Sequence, residues 1–391
     1  MKSSIFFLVS FFFCFNSFSQ DPIFWRVQTR AGIYSSPSVD ERAVYFGSED
    51  SCLYALDKNT GIQNWTYKTN GKVNSSPCIC ENNLCFSSMD GFVYSLDKNT
   101  GTLRWKFKTG GEKKYDLWDY YLSSPVIENG IVYIGSGDSC VYAIRSDTGL
   151  LLWKYKTGGM VHATPVLKNG TVYIGSYDGV FYALNAKDGT PVWKFKTVGD
   201  INFPKGEIQK AAAISQNTLF FGSRDYNIYA LDLRTGRGQW NMKERGSWIL
   251  ATPFVYQNNL YFGTSDSHHF YCMDKESGEV RWMLPLNMRV YGMASLIGGN
   301  IVFGCFNGKL YFTDPETGSV KKIFQTAESE LRYLSIYDHS DHFKEDFHYD
   351  DNMEESEHKI LSLGSILSDI LVENERMYFG DANGFFYALK Y

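Results

Sequence analysis

The chain has 391 residues, of which 44% are hydrophobic, 17% aromatic and 21% charged. That balance excludes a disordered chain, which is poor in aromatics and rich in charge. The formal net charge of −5 leaves no basic excess to neutralise a phosphate backbone, so nucleic acid is excluded as a partner class.

Reading from the N-terminus, Lys2 is followed by an apolar run over residues 5–15 and then by Ser17, Phe18 and Ser19. A charged start, a short apolar stretch and small residues three and one before a cleavage point make a secretory leader. Cleavage is expected after Ser19, leaving residues 20–391 as one domain. The run is shorter than the ~20 apolar residues a bilayer requires. Phe13 precedes Cys14 where a lipid-attachment motif takes a small residue, so no lipid anchor is expected. No later segment reaches spanning length. The expectation is a soluble protein without a transmembrane segment, periplasmic or secreted.

From residue 34 onward one phrase recurs: Ser-Ser-Pro, an apolar strand, Tyr-x-Gly-Ser, x-Asp, Tyr-Ala-Leu-Asp, Thr-Gly and a closing Trp. Its Pro, or the substitute, falls at Pro37, Pro77, Pro125, Pro165, Ala212, Pro253, Ala294 and Ile370. The Gly ten residues on, or its substitute, falls at Gly47, Ser87, Gly135, Gly175, Gly222, Gly263, Gly304 and Gly380. Both series step by 40, 48, 40, 47, 41, 41 and 76 residues, which two independent markers do not do by chance. The closing Trp is Trp65, Trp105, Trp153, Trp193, Trp240 and Trp282; the seventh unit has Lys322 there.

Each unit predicts four strands. Residues 172–175 and 180–184 are apolar and rich in Tyr and Val, as strands prefer. Between them Asp178-Gly179 marks a tight hairpin, as do Asp90-Gly91, Asn307-Gly308 and Asn383-Gly384 in the same slot. A period near 40 with four strands means propeller blades. The eighth unit lacks its last strand, and residues 25–29 match 105–109. The predicted fold is therefore all-β: an eight-bladed β-propeller of four-stranded blades. The N-terminal strand completes the last blade, closes the ring and removes an open sheet edge.

The run Tyr173-Ile174-Gly175-Ser176, with Tyr182-Ala183-Leu184-Asn185, Asp188-Gly189 and Trp193, resembles the consensus of the quinoprotein-like (pyrroloquinoline quinone, PQQ) repeat family. The resemblance spans Trp25 to Leu389. It implies that Trp25, Trp65, Trp105, Trp153, Trp193, Trp240 and Trp282 dock each blade onto the next. Two branches are implied. One holds the PQQ- and calcium-dependent alcohol and sugar dehydrogenases. The other is BamB, the lipid-anchored, non-catalytic propeller of the outer-membrane β-barrel assembly machine. The dehydrogenases carry long inter-blade loops and adjacent cysteines over the quinone. Here the blades are compact, and Cys78 and Cys80 are separated by Ile79. Asp50, Asp90, Asp138, Asp178, Asp225 and Asp266 offer calcium ligands or a base, but a residue recurring in one slot is explained by the turn. The BamB-like branch is the reading taken. It is a monomeric scaffold with no cofactor and no catalytic residues, which binds protein partners, outer-membrane assembly components among them. The alternatives are a reduced PQQ- and calcium-dependent enzyme, or a propeller binding a small ligand or glycan.

Function in a repeat chain lies where the units differ. Three residues before the Pro slot stand Tyr34, Asn74, Leu122, His162, Gln209, Leu250, Tyr291 and Leu367, predicted to form one ring near a channel mouth. Tyr34, Asn74, His162, Gln209 and Tyr291 are the candidate ligand-binding residues; the simpler reading is that they plug the channel. The two steps of 48 and 47 place longer loops at residues 112–121, with Trp118, and 200–209. Trp118 and Trp248 are candidate interface anchors. The step of 76 places an insertion at about residues 327–362. Its residues 327–358 hold 11 acids and 2 bases, and His339, His342, His348 and His358. Blocks of like charge repel and stay extended, so a solvated, mobile insertion is expected. Docking on a basic partner is the alternative, as is a metal site with His339, His342 and His348 as candidate ligands. Cys80 and Cys85 flank a hairpin loop and are placed to pair across it.

Overall fold

The computed structural model describes residues 22–349 and 351–391. The expected leader and its cleavage point after Ser19 lie outside the described residues. The described strands form eight four-stranded antiparallel sheets. In a representative blade, Val166–Lys168, Thr171–Gly175, Val180–Asn185 and Pro191–Lys196 pair in sequence order. The two middle strands are buried along most of their length, because neighbouring blades cover both their faces. The outermost strand alternates, with Trp193 and Phe195 turned in and Lys194 and Lys196 turned out.

The last blade is built from both ends of the chain. Ile23–Gln28 pairs with Phe385–Lys390, which pairs with Arg376–Gly380 and then Leu371–Glu373. The predicted closure by the N-terminal strand is what the structure shows.

Two sets of contacts join blade to blade. The indole Nε1 of Trp25, Trp65, Trp105, Trp153, Trp193, Trp240 and Trp282 donates to the carbonyls of Lys58, Lys98, Ser146, Ala186, Leu233, Lys275 and Pro315 at 2.8–3.1 Å. Each acceptor lies in the Asp-x-x-Thr-Gly turn, or its variant, of the following blade. The turn's Gly lies against the same indole. A Cβ on Gly189 would lie 2.6 Å from Trp153 Cε3, and its φ of +75° disfavours a side chain independently. Nearer the axis, the N–H groups of Asp369, Ser36, Ser76 and Ser124 donate to Ser36, Ser76, Ser124 and Thr164 at 2.8–3.2 Å. The Ser or Thr before the Pro of the first four units thus ties a blade's inner corner to its neighbour's.

The repeated Asp is a turn device in five of its six places. Asp178 accepts from Val180 N–H at 2.8 Å and the Tyr182 hydroxyl at 2.6 Å. Asp50, Asp90, Asp138 and Asp225 do the same with Tyr54, Tyr94, Tyr142 and Tyr229. Asp266 departs. Its hairpin joins Gly263 to Phe270, one residue longer than Gly175 to Phe181, and Tyr271, which stands where Tyr182 does, turns its hydroxyl to Glu244 at 3.4 Å instead. The Cys80–Cys85 expectation is also corrected. The hairpin register sets Cys85 opposite Cys78 and Cys80 opposite Asn83, and all seven described cysteines are unpaired. Among the described residues no helix is long and apolar enough to cross a membrane.

Candidate functional site

The three departures from the repeat occupy one place in it, between the outermost strand of a blade and the innermost strand of the next. Ring geometry therefore delivers all three to one face. Tyr115 of the first loop donates to Glu207 of the second at 2.8 Å. Trp118 Nε1 lies 3.3 Å from the Tyr349 hydroxyl of the insertion. Trp118 meets Trp248 edge to face at 5.5 Å, and Phe203 meets the same indole at 5.0 Å.

The first loop plugs the channel. Tyr121 donates to the Leu367 carbonyl across the axis at 2.9 Å. Tyr120 packs on Tyr34 at 5.5 Å, Phe306 at 6.0 Å and Tyr291 at 6.5 Å. The predicted ring is thereby brought together, and it is buried around this plug. Asn74 donates to the Tyr120 carbonyl at 2.8 Å and Gln209 to the Trp118 carbonyl at 3.2 Å. Tyr291 shares a hydrogen bond of 2.8 Å with Ser265. His162 sits between Asp119 at 3.0 Å and Glu112 at 3.3 Å. Burial alone would depress this imidazole; the two carboxylates outweigh it and push its pKa up to about 10. Asp119 also accepts from Tyr177 at 2.8 Å. Burial would raise its carboxyl, but charged His162 holds it below the usual range. Beyond Tyr121 the channel continues as a cavity of about 300 Å³, with Lys210 lying 3.7 Å over the tyrosine ring and 3.9 Å from Asp369.

The insertion is folded, which corrects the solvated reading. Thr326 caps α1 (Ala327–Arg332) and Asn352 caps α2 (Met353–Leu361), each accepting an N–H of the first turn. Glu328, Glu330, Glu354 and Glu355 stand in those first turns, where acids suit the helix dipole. Between the helices Tyr333, Tyr337, Phe343 and Phe347 stack in series at 4.7–5.1 Å. Tyr333, Ile336, Tyr337, Ile360 and Leu363 join the same core cluster as the plug. One acid goes inside: Glu357 binds Arg289 at 2.9 Å and accepts from the Tyr120 and Tyr349 hydroxyls. The other acids named in the insertion are half-buried or exposed, and Glu328 and Glu355 also pair with Arg332 at 3.3 Å and Lys359 at 2.7 Å, so their repulsion is relieved by water and by these pairs. His339, His342 and His348 are exposed. Among the described residues no three His, Cys, Asp or Glu side chains converge as metal ligands.

Between the three segments lies a cleft of about 730 Å³, within the range of small-molecule and peptide sites. Tyr115, Trp118, Phe203, Trp248, Met288, Phe343, Tyr349 and Met353 give it an apolar lining; Asp116, Lys205, Glu207, Arg224, Asp266, His268 and Arg289 give it charge. Arg224 is anchored by Asp116 and by Gln209 at 2.9 Å, and lies 4.4 Å over the Trp248 ring. His268 has a φ of +52°. Burial first, then neighbouring Arg289, pushes its imidazole down to about 4, so it is neutral at neutral pH. Arg224, Glu207 and Arg289 were not singled out from the sequence. Their signal lies in two further repeat slots. Five before the Pro stand Gly32, Lys72, Tyr120, Met160, Glu207, Trp248, Arg289 and Ser365; two after the Gly stand Glu49, Met89, Gly137, Tyr177, Arg224, Ser265, Phe306 and Ala382.

Among curated proteins no sequence matches. Solved structures do match in fold. BamB from Moraxella catarrhalis superposes with a TM-score of 0.72 at 16% identity, over 94% of this chain and 99% of that one. The computationally designed Ika8 protein gives 0.69 at 15% identity, over 93% and 98%. A quinohemoprotein alcohol dehydrogenase from Pseudomonas putida gives 0.71 at 13% identity, over 94% of this chain and 76% of that one. At such identities the likeness shows the fold alone, and both an assembly factor and an enzyme share it. A family model also matches: the one described as outer membrane protein assembly factor BamB covers residues 18–117 and 89–323, and the chain belongs to that family.

Proposed function

We infer that the protein is an exported, non-catalytic propeller that acts as a monomeric protein-interaction scaffold in envelope protein assembly. Residues 1–19 serve as its leader and residues 20–391 as its single domain, working in the periplasm or outside the cell. Membership of the assembly-factor family supports this reading. The observation that carries it is the roofed channel mouth. The chain fills its own axis with Tyr120 and Tyr121, and spends all three of its long inter-blade segments on one outward surface. On the same face Ile201, 93% exposed, and Leu331, 77% exposed, stand in solvent where a substitution disturbs no packing.

The test is in-cell crosslinking with affinity capture and mass spectrometry. Deleting residues 327–358 would strip Tyr333, Ile336, Tyr337 and Glu357 from the core, so point changes are the cleaner perturbation. The full chain is run beside Ile201→Asp combined with Leu331→Asp. Outer-membrane assembly components are expected with the full chain and at least tenfold less with the variant. Absence of such components from both captures refutes the scaffold reading.

A further inference from the structure

The outer rim of the propeller carries charge of one sign. Its eight outermost strands hold thirteen Lys and Arg residues and no Asp or Glu, in a chain whose net charge is −5. Seven of the thirteen lie on three adjacent blades, the second to fourth, in Leu103–Lys108, Leu151–Lys156 and Pro191–Lys196. Arg104 pairs with Asp97 at 2.6 Å, but Lys106, Lys108, Lys154, Lys156, Lys194 and Lys196 are exposed and enter no ion pair among the described residues. The third strand of each of these blades and the turns at its two ends add six acids and three bases, which leaves this side at +4. Lysines on an exposed edge also guard against edge-to-edge pairing. At the centre of this stretch that guard is undone. The three residues before Trp153 are Leu150, Leu151 and Leu152, which are 62%, 43% and 45% exposed. In each of the other six units whose turn leads into this strand, at least one of the three is polar. Val192 and Leu103, both exposed, extend the apolar edge onto the neighbouring blades.

Shape and composition select the occupant. A convex rim does not form the pockets that anchor protein partners; Lys is depleted from protein interfaces and Leu is under-represented among their hot spots. Leu beside a bank of Lys is instead the composition of segments that lie on an anionic bilayer, where apolar side chains enter the boundary between headgroups and acyl chains and ammonium groups meet lipid phosphates. A flat surface touches a convex rim at its middle, and the middle blade is the one with the three leucines. The acidic insertion follows the seventh blade, diametrically opposite the third in a ring of eight, so repulsion holds that side away from the same surface. We propose that the rim of the second to fourth blades docks on an anionic lipid surface. This stands apart from the scaffold reading, which rests on the plugged face.

The experiment sediments the purified chain without its leader with vesicles of phosphatidylcholine and phosphatidylglycerol at roughly 2:1, beside vesicles of phosphatidylcholine alone. Binding is expected on the anionic vesicles, at least tenfold weaker on the neutral ones, and weakened by added salt. Leu150→Ser combined with Leu152→Ser is expected to weaken it tenfold or more. Lys154→Gln should weaken it about fivefold, the factor one lysine contributes near an anionic leaflet. Ile323→Ser, at an exposed site on the outermost strand of the opposite blade, should leave it unchanged. No sedimentation with millimolar anionic lipid overturns the proposal. So does equal binding to the neutral vesicles, unchanged binding of the leucine variant, or a loss in Ile323→Ser as large as in that variant. If the vesicles fail and the leucine variant instead loses a protein captured in cells, the rim is a protein interface and the lipid proposal falls. The vesicles contain no protein partner, so their failure leaves the scaffold reading to its own test.

Discussion

Glu357 is the point where the insertion is fastened to the ring, and removing its charge tests how. It is 1% exposed, and it binds Arg289 while accepting from the hydroxyls of Tyr120 and Tyr349. Arg289 is as deeply buried, and its remaining carboxylate, Asp266, is 3.9 Å away and half-exposed. Glu357→Gln keeps the shape and leaves a buried guanidinium without its counter-charge. Breaking a buried pair from one side costs about 3–5 kcal/mol. If α2 can undock without melting the ring, that energy appears as local opening. Hydrogen exchange of the α2 amides should then accelerate by about a hundred- to a few-thousand-fold, since each 1.4 kcal/mol is roughly tenfold. The amides of the 171–175 strand, in a distant blade, should be unchanged. Arg289→Met combined with Glu357→Gln should recover most of the loss, because no unpaired charge then remains. An α2 exchange rate within fivefold of the parent, or a double variant no better than the single, would show that the pair does not hold the insertion.

Three further outcomes follow from the geometry. Gly189→Ala should cost about 2–4 kcal/mol in urea unfolding, from left-handed backbone strain plus the clash with Trp153, whereas Gly170→Ala, at φ +72° with open space, should cost only about 1–2 kcal/mol. His162 titrates higher folded than unfolded, so its contribution is complete below pH 6.5 and fades as pH rises towards about 10; His162→Gln should flatten the thermal-stability profile over that window. Asp381 stands where other blades carry Ser48, Ser88, Ser136, Ser176 and Ser223, and burial pushes its carboxyl up to about 7. The folded state therefore pays for ionising it as pH rises from about 4 through 7, and Asp381→Asn should remove a penalty of roughly 4 kcal/mol at pH 8 while changing little at pH 4, read as the shift in urea midpoint.

The blades were legible because what joins them repeats with them. A Trp must meet a left-handed Gly one blade on, so both markers recur at a shared period, and the spare strand at residues 25–29 announced the closure. The candidate site was legible only by location. The three irregular steps marked the segments that roof the channel mouth, yet not what they do there. Composition misled most at the insertion. Eleven acids against two bases read as a solvated block, but folding is decided by a few residues: Tyr333, Ile336, Tyr337, Ile360 and Leu363, and the single buried acid Glu357. The partner of that acid is Arg289, 68 residues earlier and in another blade, and no local pattern links the two. The plug shows the same limit. The ring three residues before each Pro was readable, but not that Tyr120 and Tyr121, just before Leu122, would fill it. A repeat predicts its own contacts, because each of the first six units carries both halves of the joint, the Trp and the turn that receives one. A site made by convergence of unlike loops carries each half once, and only the closed ring brings them within reach.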